Sequence, residues 1–141
     1  MPVTRRETLV SGSAALLALG FPGDLLAQEI TAEEAIAAFA QGAQITPGGV
    51  ILTLDAVAED GYKVPVEVAA EGARALMIIA PENPVPPVAM IRFGPMAVEQ
   101  QFSTRIRLAR SQEVMALARM PDGTVLSAAQ FVDVVVGGCG A

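Results

Sequence analysis

Cys139 is the residue of this chain whose chemistry is easiest to interpret, because it is the one cysteine and stands third from the C-terminus. Its neighbours are glycines, in the run Gly137-Gly138-Cys139-Gly140-Ala141. Glycine lacks a Cβ and has the widest range of backbone angles, so Gly137, Gly138 and Gly140 predict a flexible C-terminal arm. Five extended residues reach at most about 18 Å. We interpret Cys139 as a reactive thiol that can enter the active site of another protein; the alternative is a tail thiol of no consequence.

The sequence around the thiol offers nothing that would make it a catalyst. A cysteine thiol has an unperturbed pKa of about 8.5, and it needs a nearby cation, helix N-terminus or base to ionise at neutral pH. The nearest charge in sequence is the α-carboxylate of Ala141, which disfavours the thiolate. The sequence therefore favours a carrier whose cysteine is modified by partner enzymes. The alternatives are a thiol-dependent exported enzyme, such as a sulfurtransferase or peroxidase, and an exported structural or adhesion module.

The composition of the chain excludes several other classes of protein. It has no histidine and one cysteine, so neither a Cys/His metal site nor a histidine-assisted catalytic triad can be built. No nucleotide-binding glycine motif follows a strand and opens a helix. We therefore expect no metal and no cofactor. The formal net charge of −6 argues against nucleic acid and anionic membrane surfaces as partners.

Residues 1–27 have the parts of an export signal. Arg5 and Arg6 precede an apolar stretch that is too short to span a bilayer. The run Thr-Arg-Arg-Glu-Thr-Leu at residues 4–9 resembles the twin-arginine pattern, although a threonine stands where phenylalanine is usual. We expect cleavage after Ala27 and a periplasmic protein exported by the twin-arginine route. A Sec signal that carries two arginines is the alternative.

Residues 28–136 are predicted to form one all-β domain, followed by the flexible arm at 137–141. Thr31 and Glu34 have the spacing of a capping box and predict a short helix over about 32–42. Farther along, apolar residues alternate with polar ones and turns separate the runs, which is typical of an immunoglobulin-like β-sandwich. About seven strands are expected, at 48–56, 63–69, 74–80, 87–93, 99–109, 113–120 and 124–136. The last strand continues into the arm, which would start from a rigid edge of the sandwich.

Alternation along the strands also predicts a surface for a partner. It places four apolar side chains outward, where a monomer would leave them in water: Ile51, Met77, Val88 and Met90. We therefore expect a second subunit to bury them.

A group of basic residues lies on one predicted strand. Arg105, Arg107 and Arg110 form a stripe that could attract an anionic adduct on Cys139 or the acidic surface of a partner. A solvated strand face is the alternative. Tyr62 follows a turn and is predicted to be half-buried.

Four parts of the chain together resemble a known family. They are the terminal Gly-Gly-Cys-Gly run, the twin-arginine leader, the segment Asn83-Pro84-Val85-Pro86 before a strand that ends in Phe93-Gly94-Pro95, and the stretch Ser-Thr-Arg-Ile-Arg-Leu-Ala at 103–109. In these parts the chain is similar to SoxY, the sulfur carrier family of the periplasmic thiosulfate-oxidising (Sox) system. Family sequences usually end in Gly-Gly-Cys-Gly-Gly, whereas this chain ends in Ala141, which adds one methyl group beyond the thiol.

The resemblance implies a covalent sulfur carrier in thiosulfate oxidation. In SoxY the cysteine that corresponds to Cys139 is joined oxidatively to thiosulfate as a cysteine S-thiosulfonate, and intermediates stay on it while enzymes act in turn. The implied partners are a SoxZ-like subunit, with which the chain would form a heterodimer, and the Sox pathway enzymes, namely a cytochrome c complex, a sulfate thiol hydrolase and a sulfur dehydrogenase.

Overall fold

The computed structural model describes residues 29–135, so the predicted leader and the predicted arm lie outside the described residues. These residues contain one helix, α1 (Ala32–Ala40), which begins where the sequence predicts. Thr31 Oγ1 accepts a hydrogen bond from Glu34 N at 3.2 Å, and Glu34 Oε2 accepts one from Thr31 N at 2.9 Å. The helix ends before the predicted residue 42, because Gln41 adopts a left-handed conformation with φ 51°.

Nine strands of the described part form two sheets and confirm the all-β sandwich. The strands are β1 (Ile45–Pro47), β2 (Ile51–Thr53), β3 (Val57–Ala58), β4 (Val64–Ala69), β5 (Ala75–Ile79), β6 (Pro87–Arg92), β7 (Gln101–Ile106), β8 (Gln112–Arg119) and β9 (Val125–Val134). The larger sheet has the order β1-β9-β8-β5-β6, with β3 also paired to β9, and the smaller sheet has the order β2-β4-β7. β1 and β3 run parallel to β9, and the other pairs are antiparallel.

Two apolar clusters hold these layers together, one between the sheets and one beneath α1. Successive residues of a strand point to opposite faces, yet all five residues of β5 are buried. Leu76 and Ile78 belong to the cluster between the sheets. Met77 and Ile79 belong to the cluster that contains Phe39 of the helix. α1 therefore covers the outer face of the larger sheet over β5.

The prediction of four outward apolar side chains is right for two of them. Ile51 is 67% exposed and Met90 is 53% exposed. Met77 is only 4% exposed, because α1 lies on its side of β5. Val88 is half-buried, because its side chain packs against the cluster between the sheets. Alternation predicts which residues share a face of a strand, but not whether another element covers that face.

The predicted strand at 48–56 is right only for Ile51–Thr53, because this part of the chain crosses between the sheets. Gly48 and Gly49 have positive φ values of 104° and 73°, which glycine adopts without strain, and they turn the chain between β1 and β2. β1 pairs with β9 in the larger sheet, whereas β2 pairs with β4 in the smaller one. β3 then returns to β9. These short strands account for nine strands where about seven were predicted.

β7 and β9 also differ from the prediction. β7 ends at Ile106 instead of residue 109, because the residues that follow leave the sheet for a loop. β9 lies inside the larger sheet, between β8 on one side and β1 and β3 on the other, so it is not an edge strand. Among the described elements, no helix is long and apolar enough to cross a membrane.

Candidate functional site

The chain leaves the sandwich towards its cysteine at the end of β9. The structure describes it as far as Val135, so Cys139 and the glycines Gly137, Gly138 and Gly140 lie outside the described residues. The candidate site is therefore described from its base. We define the base of the arm as residues 133–135 together with three loops at the same end of the sandwich, 59–63, 81–86 and 107–111.

Hydrogen bonds hold the end of β9 from both sides. Val135 N donates to Ala58 O at 2.9 Å, on the side of β3. On the other side Val134 N donates to Ser111 Oγ at 2.8 Å, and Ser111 Oγ donates to Asp133 Oδ1 at 2.6 Å. The backbone is therefore fixed up to the last described residue, four positions before the cysteine.

Gly61 packs directly against this end of β9. Its carbonyl oxygen accepts a hydrogen bond from Leu108 N at 2.8 Å. A Cβ at this position would lie 2.7 Å from Leu108 O and 2.9 Å from Val134 Cγ1, closer than real Cβ atoms approach other atoms. Glycine is needed here because two loops and the end of β9 meet without space for a side chain.

Asn83 and Gln112 join the loop before β6 to the loop before β8. Asn83 Nδ2 donates to Arg107 O at 2.6 Å, and Asn83 Oδ1 accepts from Ala109 N at 2.9 Å. Gln112 is 3% exposed; its Nε2 donates to Asn83 Oδ1 at 3.1 Å, and its Oε1 accepts from Glu82 N at 2.9 Å. A buried amide costs free energy unless it is hydrogen-bonded, and both ends of this one are satisfied. The network therefore fixes the two loops around the base of the arm.

The three arginines of the predicted stripe are not one continuous surface. Arg105 lies on β7, whereas Arg107 and Arg110 lie in the loop after it. The guanidinium carbon of Arg107 lies 4.5 Å from the centre of the Tyr62 ring. This stacking occurs at the surface, and Tyr62 is 68% exposed instead of half-buried as predicted. Arg110 Nη1 lies 3.8 Å from Glu82 Oε2, an exposed ion pair that contributes little to stability.

The base of the arm has no arrangement for metal chemistry. Within residues 29–135, no group of three or more histidine, cysteine, aspartate or glutamate side chains could hold a metal ion. Loops and one strand end surround the last described residue, and several of their polar groups form hydrogen bonds within the fold.

Sequence reasoning did not identify Gly61, Asn83 or Gln112 as parts of this site. The pair Asp60-Gly61 is typical of a turn, and no pattern in one dimension shows that Gly61 meets Val134. A weak signal existed for the other two, because Asn83 interrupts a proline-rich run and Gln112 is a polar residue at the start of an apolar strand. The proline-rich run forms a loop at one end of the sandwich.

The fold and this end together define a small β-sandwich protein whose last strand leads from the interior of a sheet to a C-terminal cysteine. A family model described as sulfur oxidation protein SoxY matches residues 36–139. The chain belongs to the SoxY family. No curated protein matches its sequence significantly.

A solved SoxY structure agrees with this assignment, and two other solved structures share the fold. The sulfur carrier protein SoxY from Chlorobium limicola f thiosulfatophilum is 28% identical, with a TM-score of 0.66, and the match covers 74% of this chain and 96% of that one. A superoxide reductase (neelaredoxin) from Ignicoccus hospitalis is 16% identical with a TM-score of 0.51, covering 74% and 93%. A variant of that reductase is 13% identical with a TM-score of 0.54, covering 82% and 99%. At such low identity the likeness to the reductases shows the fold alone.

Proposed function

We propose that this chain carries sulfur intermediates of thiosulfate oxidation covalently on the thiol of Cys139, while partner enzymes modify them. The observation that carries the proposal is the extent of the family match, which starts within α1 and ends at Cys139 itself. The similar solved structure is that of a sulfur carrier protein. The sequence match to the family therefore includes the one thiol of this chain.

The base of the arm supports the same function. A carrier needs a fixed body and a reactive group that reaches beyond it. Val135 is hydrogen-bonded to the sheet system, and Cys139 follows within reach of at most about 14 Å of extended chain. Gly137, Gly138 and Gly140 have no side chains that would compete for space in a narrow active site.

The proposed chemistry balances without a cofactor in this chain. In the first step the Cys139 thiol and thiosulfate lose one proton and two electrons and form an S–S bond, which gives a cysteine S-thiosulfonate; the cytochrome c complex accepts the electrons. Water then cleaves the terminal S–S bond and releases sulfate, which leaves a persulfide. The sulfur dehydrogenase then accepts six electrons from the outer sulfur, while three water molecules supply its oxygen atoms and seven protons are released, which gives a cysteine S-sulfonate. A second hydrolysis releases sulfate and restores the thiol.

Arg107 and Arg110 lie at the end of the sandwich from which the arm starts, and the proposed adducts are anions. A guanidinium can attract a sulfonate by charge and by paired hydrogen bonds. Arg110 already faces Glu82, and its side chain is 70% exposed, so solvent and salt screen this attraction strongly. We therefore assign these arginines a small supporting effect and assign the retention of intermediates to the covalent bond.

The proposal includes a location and partners. Residues 1–27 support export to the periplasm by the twin-arginine route. We propose a heterodimer with a SoxZ-like subunit, served by the cytochrome c complex, the sulfate thiol hydrolase and the sulfur dehydrogenase. The exposure of Ile51 and Met90 supports a protein partner, because apolar side chains of this size are usually covered.

Replacement of the thiol tests the proposal. Cys139→Ser changes one atom at a position beyond the folded strands, so we expect the free energy of unfolding to change by less than about 0.5 kcal/mol. In a reconstituted system, thiosulfate-dependent reduction of cytochrome c should fall to background. By intact mass, the native chain should gain an adduct on its C-terminal peptide that a reductant removes, and the variant should gain none.

Met96→Ser is the matched control, because Met96 is a sulfur-containing side chain that is 89% exposed in a different part of the fold. It should leave both the turnover and the adduct unchanged. Thiosulfate-dependent turnover by Cys139→Ser would remove Cys139 from the mechanism. Turnover of thiosulfate or peroxide by the purified chain alone would instead support a thiol-dependent enzyme.

A further inference from the structure

A groove of about 670 Å³ lies on the outer face of the larger sheet, between α1 and β6. α1 covers β5 and part of β8 on this face, and no described residue covers β6 beside it. The larger apolar side chains of the lining are Ile30, Phe39, Met77, Met90 and Phe93. Its volume lies within the range of ligand sites, about 300–1,000 Å³.

Three arginines line the same groove and have no acidic neighbour there. The chain has nine basic residues, and Arg74, Arg92 and Arg119 are three of them, whereas none of its acidic residues contributes to the lining. Within residues 29–135, none of the three arginines forms an ion pair. Arg74 and Arg92 are exposed and Arg119 is half-buried, and a group of cations of this kind attracts a negatively charged ligand. The groove is therefore complementary to an apolar molecule that carries anionic groups.

Arg119 is already arranged for such a ligand. Its guanidinium carbon lies 5.1 Å from the centre of the Phe39 ring, which fixes the side chain against the helix. Its Nε is buried and has no hydrogen-bond partner. An unsatisfied buried donor costs about 1–3 kcal/mol. A carboxylate at the other N–H groups of Arg119 would offset this cost through charge-assisted hydrogen bonds.

The shape of the site favours an extended polypeptide as the ligand. β6 pairs with β5 on one side, and no described strand pairs with its other side. An open edge presents unpaired N–H and C=O groups, to which an extended chain can add as a further strand. Alternate side chains of that chain would face the groove. A partner segment whose every second residue is in turn apolar and acidic would place both kinds of side chain against the lining, and its backbone would pair with the edge of β6.

The groove arginines and the end of β9 lie at opposite ends of the larger sheet. Arg119 is paired with Val125, and Gln112 is paired with Val132. The seven steps between these pairs span roughly 23 Å. Residues 136–141 extend at most about 20 Å and carry no acidic side chain, so they do not match the groove. Residues 1–28 carry no excess of acidic residues either.

We propose that this groove binds an extended acidic segment of a partner protein, in which carboxylates and apolar side chains alternate along the one face that is turned to the groove. The partner would hold the sandwich at the end remote from Cys139 and would leave the arm free. This inference does not depend on the chemistry proposed for Cys139, and Cys139→Ser should bind the same segment with the same affinity.

The probe is a short fluorescent peptide with the repeat Glu-Ser-Leu-Ser, in which glutamate and leucine alternate along one face of the extended chain, and two matched peptides carry glutamine or lysine instead of glutamate. Anisotropy measures their binding to the purified protein. We expect the glutamate peptide to bind at least tenfold more tightly than either of the others, and less tightly as salt rises. The double variant Arg74→Glu and Arg92→Glu should weaken it at least tenfold. Arg105→Glu on the smaller sheet, with the same change of charge per residue, should change it less than twofold.

A second pair of variants tests the apolar part of the groove. Met90→Asp should weaken the glutamate peptide at least tenfold, whereas Met96→Asp should not. Equal binding of the glutamate and glutamine peptides, or an equal loss in Arg105→Glu, would overturn the inference. It is also wrong if laurate binds with the predicted dependence on Arg74 and Arg92 while the peptide does not, since the ligand is then a small amphiphile. A dimer of the chain that Met90→Asp dissociates would identify a second copy as the occupant and contradict the inference as well.

Discussion

Glycine is needed at Gly61 and beside Cys139 for different physical reasons. Gly61 has no side chain because Leu108 O and Val134 occupy the space where its Cβ would be. Cys139 has glycine neighbours, which we interpret as access for partner enzymes. A side chain added at position 61 should therefore lower the free energy of unfolding. Side chains added at the glycines beside Cys139 should lower the rates at which partner enzymes act on the thiol.

Gly61→Ala should destabilise the fold by about 1–3 kcal/mol, because a backbone oxygen at 2.7 Å from the new Cβ cannot rotate away. Urea denaturation measures the free energy of unfolding. Gly94→Ala is the matched control, since a Cβ at Gly94 would meet nothing within 4 Å. It should change stability by less than about 0.5 kcal/mol. Equal effects of the two substitutions would contradict the close approach at Gly61.

Gly137→Val combined with Gly138→Val should slow every enzyme that acts on Cys139, because valine has a stiff side chain and does not adopt positive φ. The number of titratable thiols and the free energy of unfolding should stay unchanged. Rates measured with each pathway enzyme check the prediction, and Gly94→Val controls for a valine in an exposed loop. If the rates stay within a factor of about two, the glycines are not needed for access.

Among the elements, α1 has two structural roles. It converts β5 from a strand with one buried face into a strand with two, and it forms one wall of the groove that contains the three arginines. Phe39 is the residue that joins these roles, since it packs on the sheet and lies under the Arg119 guanidinium. The helix is capped at its first turn by Thr31, so its start is fixed independently of the packing.

Phe39→Ala should lower the free energy of unfolding by about 3–5 kcal/mol, because it removes a large side chain that is 6% exposed and leaves a cavity under the helix. Phe131→Ala is the matched control. Phe131 is 59% exposed on β9, so the same substitution there should cost about 1 kcal/mol or less. Chemical denaturation of both variants gives the comparison. Similar losses at the two positions would show that α1 does not belong to the cooperative core.

For the molecule as a whole, apolar side chains are exposed on both sheets. Ile51 lies on β2 of the smaller sheet, next to Val98, which is 94% exposed. Met90 lies on β6 of the larger sheet. Surfaces of this kind commonly mark interfaces, and both lie away from the end of β9. A partner could therefore cover apolar surface without blocking the arm.

We predict a stable heterodimer with a SoxZ-like subunit over a largely apolar interface. Light scattering should give the mass of a one-to-one complex, and the complex should melt at a higher temperature than the isolated chain, since binding to the folded state stabilises it. Ile51→Asp and Met90→Asp show which apolar surface is used. A soluble monomer that gains no thermal stability when the candidate subunit is added would sink the prediction.

The sequence alone determined the features that depend on short-range patterns. The capping box at Thr31 and the alternation in β4 correctly predicted where elements start and which residues face the core, because both depend on local geometry. The all-β sandwich followed from the same alternation, and the family followed from motifs that can be read in one dimension. The role of Cys139 remains a prediction from its glycine neighbours and from the family.

Tertiary structure alone decided which surfaces meet. Met77 and Met90 are paired across β5 and β6 and point to the same face, yet one is buried and the other exposed, because α1 covers only the first. Gly61 lies against Val134, far along the chain. Arg74, Arg92 and Arg119 come from three different strands or strand ends and converge in one groove. Contacts between distant parts of a chain depend on how whole elements pack, and no local pattern of residues records that.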